Sequence, residues 1–103
     1  MIYILYISIL YQMVKIGTYE YEKSTAKNKK LMTIVDGRKL HFGDSRYGQY
    51  KDRTGIWKDK DTLDKKKREN YRKRHGNIKL KDGSLAINNP KSPAYHSYRI
   101  LWT

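Results

Sequence analysis

The hydrophobic positions of this chain fall mainly into short runs with a period of two residues, which is the period of β-strands. The clearest example is the pair of segments 31–35 and 38–42, which flank the dipeptide Asp36-Gly37. This dipeptide favours a two-residue type I′ turn, because both turn positions require positive φ. Such a turn places Leu31 opposite Phe42 on one face of the pair. We therefore predict an antiparallel hairpin here.

A second hairpin is predicted around Asp82-Gly83. A two-residue turn at this dipeptide would place Leu80 opposite Leu85 and Ile78 opposite Ile87, so that all four side chains lie on one face. This is the pattern of a half-buried antiparallel pair.

A further strand is predicted over Ile16–Glu22, with Tyr19 and Tyr21 on one face. Residues 43–55 contain three glycines and show no apolar period, which predicts an ordered loop.

A basic helix is predicted from about Thr62 to His75. Aspartates crowd its start, Arg72–Arg74 lie in its last turn, and Gly76 follows, which suits the helix dipole at both ends. Its apolar content is only Leu63 and Tyr71. A helix that is polar nearly all round either bridges solvent or contacts a charged partner.

The C-terminal segment contains Pro90 and Pro93 and then several aromatic residues. We expect the prolines to prevent a helix, which leaves an aromatic strand or an extended tail. The fold predicted is therefore α+β: a small antiparallel sheet of two β-hairpins with one basic helix and an extended aromatic C-terminal segment. Residues 15–103 would form this single small basic domain.

The first fourteen residues form a separate apolar segment, since the first charge is at Lys15. The run is too short for a bilayer, which needs about 20 apolar residues, and it lacks the basic start and cleavage site of a signal peptide. Its Ile and Tyr content favours a strand, and a short buried helix remains open. It could be a core strand of this chain or dock on a neighbouring protein. We predict docking, through Ile2, Ile4, Leu5, Ile7, Ile9 and Leu10.

Charge narrows the choice of partner. The 103 residues include 23 Lys and Arg against 10 Asp and Glu, giving a net charge of +13, and ten tyrosines against one Phe. Such a field attracts polyanions, and tyrosine suits half-wet interfaces, although a merely solvated basic surface would have the same composition. The residues predicted to bind an anionic partner are Arg46, Arg53, Lys65, Lys66, Lys67, Arg68, Arg72, Lys73 and Arg74. The residues predicted to make aromatic contacts are Tyr47, Tyr50, Tyr71, Tyr95, Tyr98 and Trp102.

Signs of catalysis are sparse. His41, His75 and His96 lack the spacing of paired metal ligands, there is no cysteine, and the glycines match no phosphate-binding loop. We therefore expect no catalytic residue, no metal and no cofactor. A basic nuclease would need clustered acids for Mg²⁺. The acids available for that remoter alternative are Asp44, Asp52, Asp59, Asp61 and Asp64.

Three short blocks suggest a relationship: LHFGDSRYGQY, NYRKRHG and SPAYHSYRILW. Together they resemble a family of small, basic, uncharacterised proteins of giant DNA viruses and tailed phages, over about residues 31–102. The matching positions are His41, Phe42, Gly43, Tyr47, Tyr50, Tyr71, Arg74, His75, Ser97, Leu101 and Trp102. The insertion over residues 52–64 and the apolar start depart from the family pattern. The family brings no established activity, so the resemblance implies only a viral origin.

The function expected from these observations is that of a non-enzymatic virion structural protein, of minor-capsid or internal cement type. It would be made in the host cytoplasm, lie inside the capsid, and contact acidic or apolar surfaces of other virion proteins, with no membrane insertion. The alternative is a DNA-binding or genome-condensing protein that uses the same residues on phosphates.

Overall fold

A computed structural model describes residues 13–103, so the predicted docking segment lies outside the described residues except for Met13 and Val14. The described chain forms a four-stranded antiparallel sheet with the order β1-β2-β3-β4. The strands are β1 (Met13–Ile16), β2 (Tyr19–Lys23), β3 (Lys29–Val35) and β4 (Arg38–Asp44). Two α-helices come later in the described range, α1 (Lys65–His75) and α2 (Pro93–Ile100), with single 3-10 turns at Lys58–Lys60 and Ala86–Asn88. The predicted class, α+β with a sheet of two hairpins, is confirmed.

The hairpin of β3 and β4 forms in the predicted register. Leu31 pairs with Phe42, and the two turn residues Asp36 and Gly37 have φ of 50° and 76°. Both values are positive, as the type I′ turn requires.

The other hairpin lies elsewhere than predicted. The single strand expected over Ile16–Glu22 is wrong, because the chain reverses at Gly17, where φ is 64°, and Ile16 pairs with Tyr19. β1 and β2 are therefore two strands of one hairpin. Tyr19 and Tyr21 do share a face, two residues apart on β2.

The predicted hairpin at Asp82-Gly83 is also wrong. The chain does turn here, but the turn is one residue longer, so Lys79 rather than Leu80 opposes Leu85, and the pairing is a single isolated bridge. A slip of one residue moves every apolar side chain to the other face. The Asp82 side chain favours this longer turn by accepting hydrogen bonds from the backbone N–H and the hydroxyl of Ser84.

The C-terminal segment is helical, contrary to prediction. Pro93 occupies the first turn of α2, where its missing N–H has no partner to lose. Ser92 caps the helix by accepting a hydrogen bond from the backbone N–H of Ala94 at 3.3 Å. The aromatic residues Tyr95 and Tyr98 are thus presented by a helix rather than by an extended tail.

The core lies between the sheet and the end of α2. Its buried members are Tyr21, Leu31, Phe42, Ile100 and Leu101. Each large side chain removed from water in this way contributes about 1.5–3 kcal/mol to stability. They fix α2 and the C-terminus against β4.

His96 lies inside this core with no solvent exposure. Its Nε2 donates to the carbonyl oxygen of Pro90 at 2.7 Å, because a carbonyl can only accept, and its Nδ1 accepts from the Tyr21 hydroxyl at 2.8 Å. Burial lowers the pKa of His96 and raises the pKa of Tyr21 to about 12. The pair is therefore neutral at pH 7 and joins α2 to β2.

Candidate functional site

The outer face of α1 carries five exposed cations, Lys65, Lys66, Lys67, Lys73 and Arg74. The helix begins at Lys65, three residues later than predicted, because Asp64 caps it by accepting hydrogen bonds from the backbone N–H groups of Lys66 and Lys67 at 3.0 and 3.1 Å. Leu63 precedes the helix, with φ of 53°, and is 59% exposed, so it does not contribute to a buried helix face as predicted. The exposed residues of α1 are Lys65, Lys66, Lys67, Glu69, Asn70, Lys73 and Arg74.

The inner face of α1 attaches to the domain through arginine. The guanidinium of Arg68 lies 4.2 Å from the centroid of the Tyr50 ring, and that of Arg72 lies 4.1 Å from the centroid of Tyr98. Each also donates from Nη1 to a backbone carbonyl, Arg68 to Thr103 at 3.0 Å and Arg72 to Trp102 at 3.1 Å. Each of the two cation–π contacts, between a guanidinium and a tyrosine ring, contributes about 0.5–2 kcal/mol to stability. Two of the predicted anion-binding arginines therefore hold the helix in place.

Tyr71 completes this attachment within an aromatic stack. Its ring is parallel to that of Trp102, with centroids 4.3 Å apart, and stacks on His75 at 4.1 Å. Its hydroxyl forms a 3.0 Å hydrogen bond with the Ser97 hydroxyl on α2. Burial raises the pKa of Tyr71. Burial lowers the pKa of His75, and the positive charge of Arg74 lowers it further. Both rings are therefore uncharged at pH 7.

The stack borders a groove of about 460 Å³ between the loop after β4 and the two helices. This volume lies within the range of about 300–1,000 Å³ that is typical of ligand sites. Nine of the eleven matching positions of the three sequence blocks line it, although the blocks are far apart in the chain. The residues that line the groove are Lys29, Lys30, Phe42, Gly43, Asp44, Tyr47, Gly48, Tyr71, Arg74, His75, Pro93, Ala94, Ser97, Leu101 and Trp102.

Gly43 allows the floor of the groove to close. Its φ is 77°, and a Cβ at this position would lie 2.8 Å from Cδ1 of Leu101 and 3.2 Å from Cβ of Lys30. A side chain here would separate β4 from the C-terminal residues.

A buried polar cluster supports the groove from below. Lys30 is 2% exposed, and its ammonium donates to Oε1 of Gln49, which has no exposure. The Gln49 amide donates in turn to the Trp57 carbonyl at 2.8 Å and to Asp61 Oδ1 at 2.7 Å. Burial lowers the pKa of Lys30 to about 8. The cluster ties β3 to the loop between β4 and α1.

Asp52 organises the same loop from within. Its Oδ1 accepts from the backbone N–H of Thr54 at 2.8 Å, and its Oδ2 accepts from that of Trp57 at 2.7 Å. The ring Nε1 of Trp57 donates to the Lys30 carbonyl at 2.8 Å. The loop is therefore ordered by side-chain to backbone hydrogen bonds rather than by an apolar core of its own.

The remaining predicted site residues lie apart from one another. Arg46 forms a bidentate pair with Asp44, at 3.0 and 2.8 Å, on the exposed surface, and this pair lowers the pKa of Asp44 below its usual range. Arg53 donates to the carbonyl of Arg99 at the end of α2. Tyr95 packs edge-on against His96 on another side of the domain, away from α1.

Four of the five acidic residues named for the nuclease alternative accept hydrogen bonds within the domain. Asp44, Asp52, Asp61 and Asp64 accept the hydrogen bonds described above, and in residues 13–103 no group of three His, Asp or Glu side chains is placed to hold a metal ion. Over the same range, no helix has the length and apolar character needed to cross a membrane.

Sequence analysis did not identify Lys29, Lys30 and Gln49 as part of this region. Lys30 and Gln49 are polar residues among other polar residues, and no pattern marks them as buried. The Lys29-Lys30 pair at the start of β3 was the only available signal, and it was indistinguishable from the many other basic pairs in the chain.

The chain was compared with protein-family models, with curated proteins and with solved structures, and none of the three comparisons finds a match. The viral resemblance therefore stays a prediction from the sequence.

Proposed function

We propose that this protein is a non-enzymatic nucleic-acid-binding protein, and that the outer face of α1 contacts backbone phosphates. The observation that supports this most directly is the row of exposed cations, Lys65, Lys66, Lys67, Lys73 and Arg74, on one rigid helix. Lysine and arginine that neutralise phosphates release condensed counterions, and this release supplies the sequence-independent part of the affinity for nucleic acid.

The shortage of internal partners for these cations supports the same proposal. All 23 Lys and Arg and all 10 Asp and Glu side chains lie in residues 13–103, yet that range contains only three salt bridges. On α1 the single ion pair joins Lys73 to Glu69 at 3.2 Å, and both side chains are exposed. Lys65, Lys66 and Lys67 remain available for a polyanion.

The test is a titration of labelled DNA at several salt concentrations, with Lys65, Lys66 and Lys67 together changed to Gln. For duplex DNA, log K should fall against log salt with a slope of about −0.9 for each phosphate contacted, so the triple variant should lose up to about three units of slope. The matched control is the variant Lys27→Gln, Lys39→Gln, Lys81→Gln, which removes the same charge from exposed positions elsewhere.

Two results would refute the proposal. A shallow slope for the unaltered protein would mean that phosphates are not the main contact. An equal loss of affinity in the control variant would mean that the net charge of +13, rather than α1, attracts DNA.

A second candidate function, the virion structural protein expected from the sequence, is favoured by a different surface. Met13 and Ile34 are 56% and 61% exposed, and both border a pocket on the sheet with Met32. Exposed apolar patches of this kind mark contacts with other proteins. Met13 also comes directly after the apolar residues 1–12 in the chain.

Gentle disruption of the source particle, with and without nuclease, separates the two functions. A nucleic-acid-binding protein should leave with the genome and be released by nuclease. A minor capsid or cement protein should stay with the empty shells, and deletion of residues 1–12 should then prevent its incorporation.

A further inference from the structure

The groove beside α1 has aromatic rings on two of its walls. On one wall, Tyr71 is stacked between His75 and Trp102, and these two outer rings are only partly buried. On the other wall, Tyr47 is 65% exposed, a large fraction for an aromatic ring that lines a groove. The guanidinium of Arg46 lies 5.7 Å from the centroid of the Tyr47 ring, and the exposed remainder of that ring is a platform on which a flat aromatic ligand can stack.

The charges at the groove suit an anionic ligand. Lys29 and Arg74 line it and are exposed. Asp44 is the only acidic residue among its described lining residues, and its carboxylate is already paired with Nε and Nη2 of Arg46. A ligand with a flat ring and an adjacent phosphate would therefore meet aromatic walls and cations together.

We infer that this groove binds an unstacked nucleobase and its phosphate, so that the protein prefers single-stranded to duplex nucleic acid. The inference rests on the proposed function and adds the form of nucleic acid to it. Bases in a duplex are paired and stacked, and exposing one costs a few kcal/mol, whereas a single strand offers its bases directly. Stacking tolerates any base sequence, since every base has a π-face.

The test compares the affinity for a single-stranded oligonucleotide of mixed sequence with that for the duplex containing it, by fluorescence anisotropy at about 0.15 M salt. The unaltered protein should bind the single strand more tightly. The Tyr47→Leu variant should weaken single-strand binding by about five- to 150-fold, which corresponds to one lost stacking contact, and should leave duplex binding unchanged.

Two further variants control for shape and for folding. Tyr47→Phe keeps the ring and should bind the single strand as the unaltered protein does. His75→Ala removes a ring from the opposite wall and should cause a similar loss, with the urea unfolding midpoint measured alongside because His75 also stacks on Tyr71. Tyr47 is mostly exposed, so its replacement should not affect folding.

Three outcomes would overturn the inference, and they can be told apart from failure of the proposed function. Equal affinity for both forms would mean that binding is electrostatic only. Unchanged single-strand affinity in Tyr47→Leu and His75→Ala would indicate that the groove takes another ligand, such as an aromatic side chain of a protein. Equal losses for both nucleic acids in these variants would mean that the groove does not distinguish them. The proposed function itself fails if neither form binds, if the salt slope of the unaltered protein is shallow, or if the α1 variants have no specific effect.

Discussion

Gln49 offers the sharpest test of how this domain is held together. We consider its replacement by leucine, which has a similar volume and no polar atoms. The change removes the Gln49 carbonyl oxygen that accepts from the Lys30 ammonium. It also removes the amide nitrogen that donates to the Trp57 carbonyl and to Asp61 Oδ1. The Asp61 oxygen keeps one hydrogen bond, from the backbone N–H of Asp52 at 2.7 Å.

The expected loss in free energy of unfolding is about 2–3 kcal/mol. The penalty at Lys30 is limited, because with a pKa of about 8 the amine can lose its proton at pH 7 for about 1.4 kcal/mol. The Trp57 carbonyl still accepts a hydrogen bond from the backbone N–H of Lys60 at 2.9 Å, so the lost Gln49 hydrogen bonds add about 0.5–1.5 kcal/mol. A domain of this size is stable by about 5–15 kcal/mol, so the variant should fold with a clearly lower midpoint.

Urea unfolding monitored by tryptophan fluorescence measures this loss, since Trp57 lies in the cluster. A double-mutant cycle with Lys30→Met isolates the interaction of Lys30 with Gln49. We expect the double variant to be more stable than the sum of the single losses predicts, by about 1 kcal/mol, because no amine is then left without an acceptor. An unchanged midpoint for Gln49→Leu, or strictly additive losses, would refute this role of the cluster.

Three further predictions concern the fold. Gly43→Ala should destabilise the domain by about 1–3 kcal/mol in thermal unfolding, because φ is 77° and the new Cβ would lie 2.8 Å from Leu101; an unaltered Tm would contradict the close packing described. Asp64→Ala should cost about 1 kcal/mol and lower the helical signal in circular dichroism, whereas Asp64→Asn, which can still cap, should not. Burial lowers the pKa of His96 below its ordinary value of 6.5, so the unfolded chain binds more protons in acid. Stability should therefore be full above about pH 6.5 and fall below it, and a urea midpoint that is equal at pH 7.5 and 5.5 would argue against a buried neutral imidazole.

The two Asp-Gly turns show when the sequence around a turn is enough to predict a hairpin and when it is not. Asp36-Gly37 lies between two segments long enough to pair, so a local rule gave the correct register of β3 and β4. The same dipeptide at Asp82-Gly83 gave the wrong register, because the Asp82 side chain favours a longer turn and the 3-10 turn at Ala86–Asn88 ends the pairing. Local sequence cannot distinguish these cases, since the difference depends on the structure that the chain adopts beyond the turn.

The candidate site was predictable only in part. The charge of α1 is evident in the sequence, but which of its cations attach the helix is not, because the carbonyls that Arg68 and Arg72 bind lie 35 and 30 positions away and the tyrosine rings they contact also lie outside the helix. The burial of Lys30 and Gln49 was likewise hidden. Lysine is rarely buried, and only tertiary structure supplies the acceptor that allows it.

Because α1 is attached to the domain by two of its cations and not by the others, the two groups should differ in whether lysine and arginine can replace each other. A guanidinium can stack on a tyrosine ring and donate to a carbonyl at the same time, whereas an ammonium lacks the flat surface. Positions 65, 66 and 67 should therefore accept either lysine or arginine. Arg68 and Arg72, by contrast, should not tolerate lysine, although the charge would be the same. A library randomised over α1 and selected for stable folding tests this difference. Either basic residue should be found at positions 65–67, and only arginine at positions 68 and 72, whether or not a ligand is present.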